Sequence, residues 1–164
     1  MIRLVKASLE DCQTIHEMQV VSFKDLLDKY NDVKTNPGAE TLEQVVKRMM
    51  QEFTTYYFIT VDGRRIGVIR VVTFDGKQCR IAPMFILPQY QGCGYAQEVL
   101  NRIESLYPDS EKWMLDTIKE EPKLCHLYEK MGYQLTRKEE QIQEGMTIVY
   151  YEKPQITSTS KAEN

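Results

Sequence analysis

Two periods of apolar and polar residues run along this chain, and the switch between them divides it. Residues 2–5 alternate apolar and polar, as a strand with one buried face does. From Cys12 the period lengthens: Cys12, Ile15, Met18, Val21 and Phe23 recur at helical spacing and predict a helix reaching about Leu27. Ser8, with Asp11 three positions on, reads as the capping box that opens it. The stretch KYNDVKTNPGAE follows, rich in turn formers and broken at Asn36-Pro37-Gly38. A second helical pattern then runs from about Thr41 through Leu42, Val45, Val46 and Met49.

In the middle of the chain the shorter period returns. Residues 54–61, TTYYFITV, are β-branched and aromatic; Asp62-Gly63 and Asp75-Gly76 are hairpin signals on either side of a second strand over 65–74. A third antiparallel strand is expected over 81–87. Pro83 cannot donate to a ladder there, which predicts an edge or a bulge, and Pro88 ends the strand. Helical spacing resumes at Ala96, Val99, Leu100, Ile103, Leu106 and Tyr107. After Pro108-Asp109-Ser110, residues 112–118 (KWMLDTI) read as a strand. Pro122 suits the first turn of a helix ending at Met131, with Gly132 at its C-cap. Strands over 133–136 and 146–152 complete the pattern. From Pro154 the sequence PQITSTSKAEN is polar and poor in core residues, so a mobile tail is expected. The reading is one domain over residues 1–153 and a polar C-terminal tail over 154–164, with no internal repeat.

Composition narrows the function classes. At 164 residues, 42% hydrophobic and 27% charged, the chain can bury a core of its own. A net charge of -3 without a Lys/Arg cluster argues against nucleic-acid binding. No apolar run approaches the roughly 20 residues of a membrane helix, and residues 1–12 lack a signal-peptide core. A cytoplasmic location is the default expectation. Cys12, Cys79, Cys93 and Cys125 are far apart and only two histidines are present, so reduced thiols are expected rather than disulfides or a metal site.

The chemistry concentrates where the third meander strand meets the next helix. Gln91, Gly92, Cys93, Gly94, Tyr95 and Ala96 space two glycines and an alanine so that backbone amides crowd together at a helix N-terminus, an anion site by geometry and dipole. A nucleotide P-loop would need Lys-Ser/Thr after Gly94, and Tyr95-Ala96 stands there. A dinucleotide fingerprint would need a small residue where Gln97 stands. The run, preceded by Ile86 and Pro88, resembles instead motif A of the GNAT superfamily of acetyl-coenzyme A dependent N-acetyltransferases, Gln/Arg-x-x-Gly-x-Gly/Ala. A second stretch, Leu127-Tyr128-Glu129-Lys130-Met131-Gly132-Tyr133, is similar to that family's closing Leu-Tyr-Glu-Lys-x-Gly-Phe/Tyr. The resemblance covers roughly residues 2–153.

That resemblance implies the GNAT acyl-coenzyme A N-acyltransferase fold. This is an α+β fold in α/β/α layers, with a mixed, mostly antiparallel sheet of about seven strands and four helices. It implies acetyl-coenzyme A as co-substrate, without a metal, and an amine acceptor, either a small cationic amine or a peptidyl Lys or N-terminus. The turn amides would hold the pyrophosphate, and Phe85 and Ile86 would line the pantetheine arm, with a backbone N–H near Ile86 facing the thioester oxygen. Tyr128 occupies the position that in this family commonly protonates the leaving sulfur. The family's fourth-strand Glu has no counterpart in residues 80–87. Asp116, near the end of the fifth strand, is the first candidate base. Glu121, where many relatives carry an Asn, is the second, and that departure puts one cofactor contact in doubt. Each is also readable as a solvated carboxylate, and catalysis through water without a dedicated base stays open. In the first-helix region Asp25, Asp28, Tyr30, Asp32 and Glu40 form an acidic, aromatic-containing stretch suited to a cationic amine; Asp25 and Tyr30 are the substrate-binding candidates. An edge strand and a tail are compatible with a homodimer. The alternative function is a non-catalytic acyl-coenzyme A binding or sensing module, and a third reading shares only the fold and binds another phosphate ligand.

Overall fold

A computed structural model describes residues 1–156 of the chain. Seven strands and four α-helices alternate along it. β1 (Ile2–Lys6) leads through a 3-10 turn (Leu9–Asp11) into α1 (Cys12–Tyr30), followed by α2 (Leu42–Met49). The meander β2 (Thr54–Val61), β3 (Arg64–Phe74) and β4 (Gln78–Ile86) comes next, then α3 (Tyr95–Ser105), β5 (Lys112–Ile118), α4 (Pro122–Lys130), β6 (Gln134–Gln143) and β7 (Met146–Pro154). The strands form one mixed sheet in the order β1-β2-β3-β4-β5-β7-β6. β4 and β5 are parallel and pair over three positions, ending at Arg80 opposite Met114. Pro83 lies beyond that last pair, where no amide is asked of it on the β5 side.

Capping chemistry sets the helix boundaries. The Ser8–Asp11 capping box forms, with the Ser8 N–H on Asp11 Oδ2 at 2.8 Å, but it opens the 3-10 turn rather than α1 itself. α1 runs three residues past the expected Leu27 because Asn31 adopts a left-handed backbone (φ 51°) and returns its N–H to the Leu27 carbonyl at 2.7 Å. A second capping box, Thr41 with Gln44, starts α2. β6 is much longer than residues 133–136. Its continuation is polar and almost wholly exposed because it is a sheet edge paired on one side only, so no alternation marks it.

By contact density the chain divides into two compact units. The first comprises Met1–Val72 with Pro83–Val99. Its core joins Cys12, Ile15 and Met18 of α1 and Val45 of α2 to Tyr56, Phe58, Val68 and Phe85 of the sheet. The second comprises Thr73–Ala82 and the chain from Leu100 onward. There Trp113 is fully buried, meets Tyr107 edge to face at 5.6 Å, and donates its indole N–H to Gln155 Oε1. Gln155 also donates to the carbonyls of Glu104 and Tyr107 at 3.3 and 3.2 Å. The ordered chain thus continues past residue 153, and residues 157–164 of the expected tail lie outside the described residues. Among the described residues no helix is long and apolar enough to cross a membrane.

Candidate functional site

β4 ends at Ile86, and the Leu87 N–H closes onto the Ile66 carbonyl at 2.7 Å. A 3-10 turn (Pro88–Tyr90) then brings Gln91 back, and its Nε2 donates to the Ile86 carbonyl at 2.8 Å. Gly92 and Gly94 take φ values of 76° and 81°, a left-handed backbone that a side chain would strain. The chain between them winds directly into α3, whose first helical bond runs from the Glu98 N–H to the Gly94 carbonyl at 3.3 Å.

This geometry has a consequence for the backbone. Among the described residues, the N–H groups of Gly92, Cys93, Gly94, Tyr95, Ala96 and Gln97 reach no acceptor, while the Gln91 N–H is taken by the Pro88 carbonyl at 3.2 Å. The open set therefore starts one residue later than Gln91 and ends one later than Ala96. Gly92, Cys93 and Gly94 are exposed, and Cys93 Sγ lies 3.6 Å from the Gln91 carbonyl oxygen. Six successive unpaired amides at the positive end of an 11-residue helix are built for an anion with several oxygens. They fit a pyrophosphate.

Phe85 and Ile86 are buried, at 6% and 7% exposure. Phe85 packs edge to face on Phe23 of α1 at 5.6 Å. β3 approaches them so closely that a Cβ placed on Gly67 would lie 2.2 Å from the Phe85 carbonyl oxygen. The backbone leading into the turn is thus fixed from beneath by a residue absent from any sequence motif.

In the second unit, Tyr128 projects from α4 with its ring buried between Tyr133 (6.1 Å) and Tyr151 (6.3 Å). Tyr151 is itself tied to α4, its phenol donating to Glu129 Oε1 at 3.0 Å. The Tyr128 hydroxyl makes no hydrogen bond among the described residues, yet it is not one of the sealed, unpaired oxygens, as the Tyr133 hydroxyl is. Burial raises the Tyr128 pKa, and the nearby Asp116 carboxylate raises it further. The phenol therefore keeps its proton throughout the neutral range.

The candidate bases differ in their commitments. Asp116 accepts from Arg80 Nη2 at 2.6 Å, with both side chains about one-third exposed (34% and 29%). Glu121 sits at the N-cap of α4, where its backbone carbonyl accepts from Leu124 and Cys125. In the α1 region, Asp25 is exposed, whereas Tyr30 is buried at 8% with Lys29 over its ring at 5.2 Å. The neighbouring acids are engaged. Asp28 pairs with Lys24 at 2.5 Å, and Glu40 pairs with Arg48 at 3.4 Å. Asp32, 3% exposed, accepts the amides of Lys34 and Thr35 at 3.1 Å. Arg80 escaped the sequence reading: Asp116 lies two residues beyond its register partner on β5, a relation visible only once the parallel pairing is known.

Known proteins share the family and the fold. Residues 26–154 match the model of an acetyltransferase (GNAT) domain. Among solved structures, the spermidine N-acetyltransferase from Vibrio cholerae in complex with CoA and spermine superposes with a TM-score of 0.74 at 18% identity, over 94% of this chain and 95% of that one. The ribosomal-protein-S18-alanine N-acetyltransferase from Escherichia coli gives 0.75 at 11% identity, over 94% of each chain. The paia N-acetyltransferase from Thermoplasma acidophilum, in complex with coenzyme A, gives 0.69 at 16% identity, over 94% and 99%.

Proposed function

Because the chain belongs to the GNAT acetyltransferase family, we propose that it transfers an acetyl group from acetyl-coenzyme A to a primary amine by direct attack on the thioester. The observation that carries this is the row of unpaired amides from Gly92 to Gln97, whose donors and dipole suit the pyrophosphate of the coenzyme. The bound donor supplies an activated acyl carbon. Phe85 and Ile86 are assigned to its pantetheine arm and Tyr128 to the proton that the departing sulfur takes up, since its phenol is held protonated.

An alkyl ammonium of pKa ~10.4 is about 0.1% neutral near pH 7.4, so a base that takes its proton speeds attack. Asp116 is the better-placed carboxylate of the two candidates, being close enough to Tyr128 to act on it electrostatically. Its pairing with Arg80 means that it acts through its remaining lone pairs or through water. That same pairing favours the second reading, a module that binds acyl-coenzyme A without turnover, because no unpaired carboxylate of β4 supplies a base.

The deciding experiment measures coenzyme A release against a panel of amines, amino acids and peptides, together with calorimetric donor binding. Release with one acceptor class supports the enzyme. Tight binding without release on a broad panel supports the binding module, and absence of donor binding overturns the pyrophosphate assignment. Gly94→Ala is expected to weaken donor binding about tenfold, roughly 1.4 kcal/mol, through its left-handed backbone and a methyl group beside the open amides. An unchanged dissociation constant would remove the turn from the donor site.

A further inference from the structure

The sheet face that carries Asp116 gathers two cations and two carboxylates around one aromatic ring. Asp116 on β5 and Tyr150 on β7 are register partners and so present their side chains on the same face. Around the half-buried Tyr150 ring stand two cations, the Arg80 guanidinium at 5.8 Å from the centroid and the Lys138 ammonium at 4.3 Å. The carboxylates facing this ring are Asp116, taken by Arg80 Nη2, and Glu140, which lies against the Tyr150 phenol. Lys112 on β5 has Glu152 at 3.4 Å and Lys119, just past β5, has Glu139 at 3.7 Å, whereas the exposed Arg137 of β6 has no acidic partner among the described residues. Lys138 has no acidic partner among the described residues, and Arg80 Nε and Nη1 reach no acceptor there.

We propose that Arg80 and Lys138, arrayed around Tyr150, bind an anionic group of the acceptor, so that the preferred substrate is an amine carrying a carboxylate rather than a polycation. This rests on the reading that Asp116 and Tyr128 face the reacting amine. An acceptor amine directed to Asp116 brings its substituents over Tyr150, where a carboxylate completes the unfilled donors of Arg80 and neutralises Lys138. A polyamine offers no acceptor to the unfilled Arg80 donors, and it meets Asp116 and Glu140 only where Arg80 and Tyr150 already engage them. Of the acids on α1 and its connection that would favour a polyamine, Asp28, Asp32 and Glu40 are already engaged, which leaves the exposed Asp25.

The test uses the whole chain with saturating acetyl-coenzyme A and three acceptor types matched in side chain: an amino acid, its α-amide and the decarboxylated amine, with spermidine beside them. The expected result is kcat/KM at least about tenfold higher for the acid than for its amide, with spermidine poorest. Lys138→Gln should raise KM for the acid several-fold while donor affinity is kept, and Lys138→Glu should shift preference toward spermidine. Equal use of acid and amide, or a KM indifferent to both Lys138 variants, overturns the carboxylate assignment while leaving the acetyltransferase reading intact. Failure of donor binding overturns that reading first, and this proposal with it.

Discussion

Tyr128→Phe lowers turnover by on the order of 10- to 1000-fold and leaves donor affinity and melting temperature close to those of the parent protein. The stability half of this expectation follows from packing. The ring keeps its place between Tyr133 and Tyr151, and the hydroxyl removed has no hydrogen-bond partner among the described residues. The activity half follows from the role proposed for the phenol, which a phenyl ring could not fill: delivering a proton to a thiolate as the carbon–sulfur bond breaks. The pH dependence supplies an independent check. Burial first and the Asp116 charge second raise the Tyr128 pKa above the ordinary tyrosine value near 10. A raised folded-state pKa contributes stability that is fully present below the unfolded value and is lost as pH rises through the folded one. The parent protein should therefore lose stability progressively above about pH 10, and the phenylalanine variant should lose less. Steady-state kinetics with thermal melts from pH 7 to 11 would show both effects. Unchanged turnover would take Tyr128 out of the mechanism.

Gly67→Ala is the substitution with the largest expected effect on stability. The new Cβ would lie 2.2 Å from the Phe85 carbonyl oxygen and 3.1 Å from Ile86 Cα. Neither is the flexible end of a side chain, so one strand must move. A penalty of about 3 kcal/mol, the upper end for overpacking, is expected, and it lowers the melting temperature by roughly 6–12 °C. The displacement also reaches the turn proposed to hold the donor, because the Ile86 carbonyl holds Gln91 Nε2 and the Leu87 amide is anchored on Ile66. Donor affinity should fall as well. Gly63→Ala is the control. Gly63 has a left-handed backbone (φ 79°) with nothing within 4 Å of an added Cβ, so it should lose about 1 kcal/mol without touching donor affinity. A Gly67→Ala melt within a degree of the parent would show that β3 and β4 yield at no cost.

Local chemistry explains which of these features the sequence could show. Asp62-Gly63 and Asp75-Gly76 announce their turns because the dipeptides themselves carry the required backbone, and both aspartates do adopt positive φ. The strand over 54–61 was legible to its ends because β-branched and aromatic residues fill it and a turn closes it. Gly92 and Gly94 were legible for the same reason, and the four helices and mixed sheet follow the expected order. What was hidden depends on partners distant in the chain. Nothing near Gly67 indicates that Phe85 will press on it, and nothing near Asp116 names Arg80. The polar run after Thr136 resembles a loop until the register with β7 shows that it is the outer strand of the sheet. Asp32 and Glu40 read as free acids in one dimension, whereas in three dimensions they hold their own loop and Arg48.

Trp113 is the only tryptophan in the chain, fully buried and held through its indole nitrogen by Gln155, which sits just beyond the last strand. Its emission is therefore a native optical probe of whether that end of the chain is seated. Gln155→Ala should free the indole N–H, broaden the fluorescence band and make it more accessible to acrylamide quenching. No extrinsic dye is needed, and the signal comes from one site. Seating of Gln155 against the indole can thus be followed in the unlabelled protein.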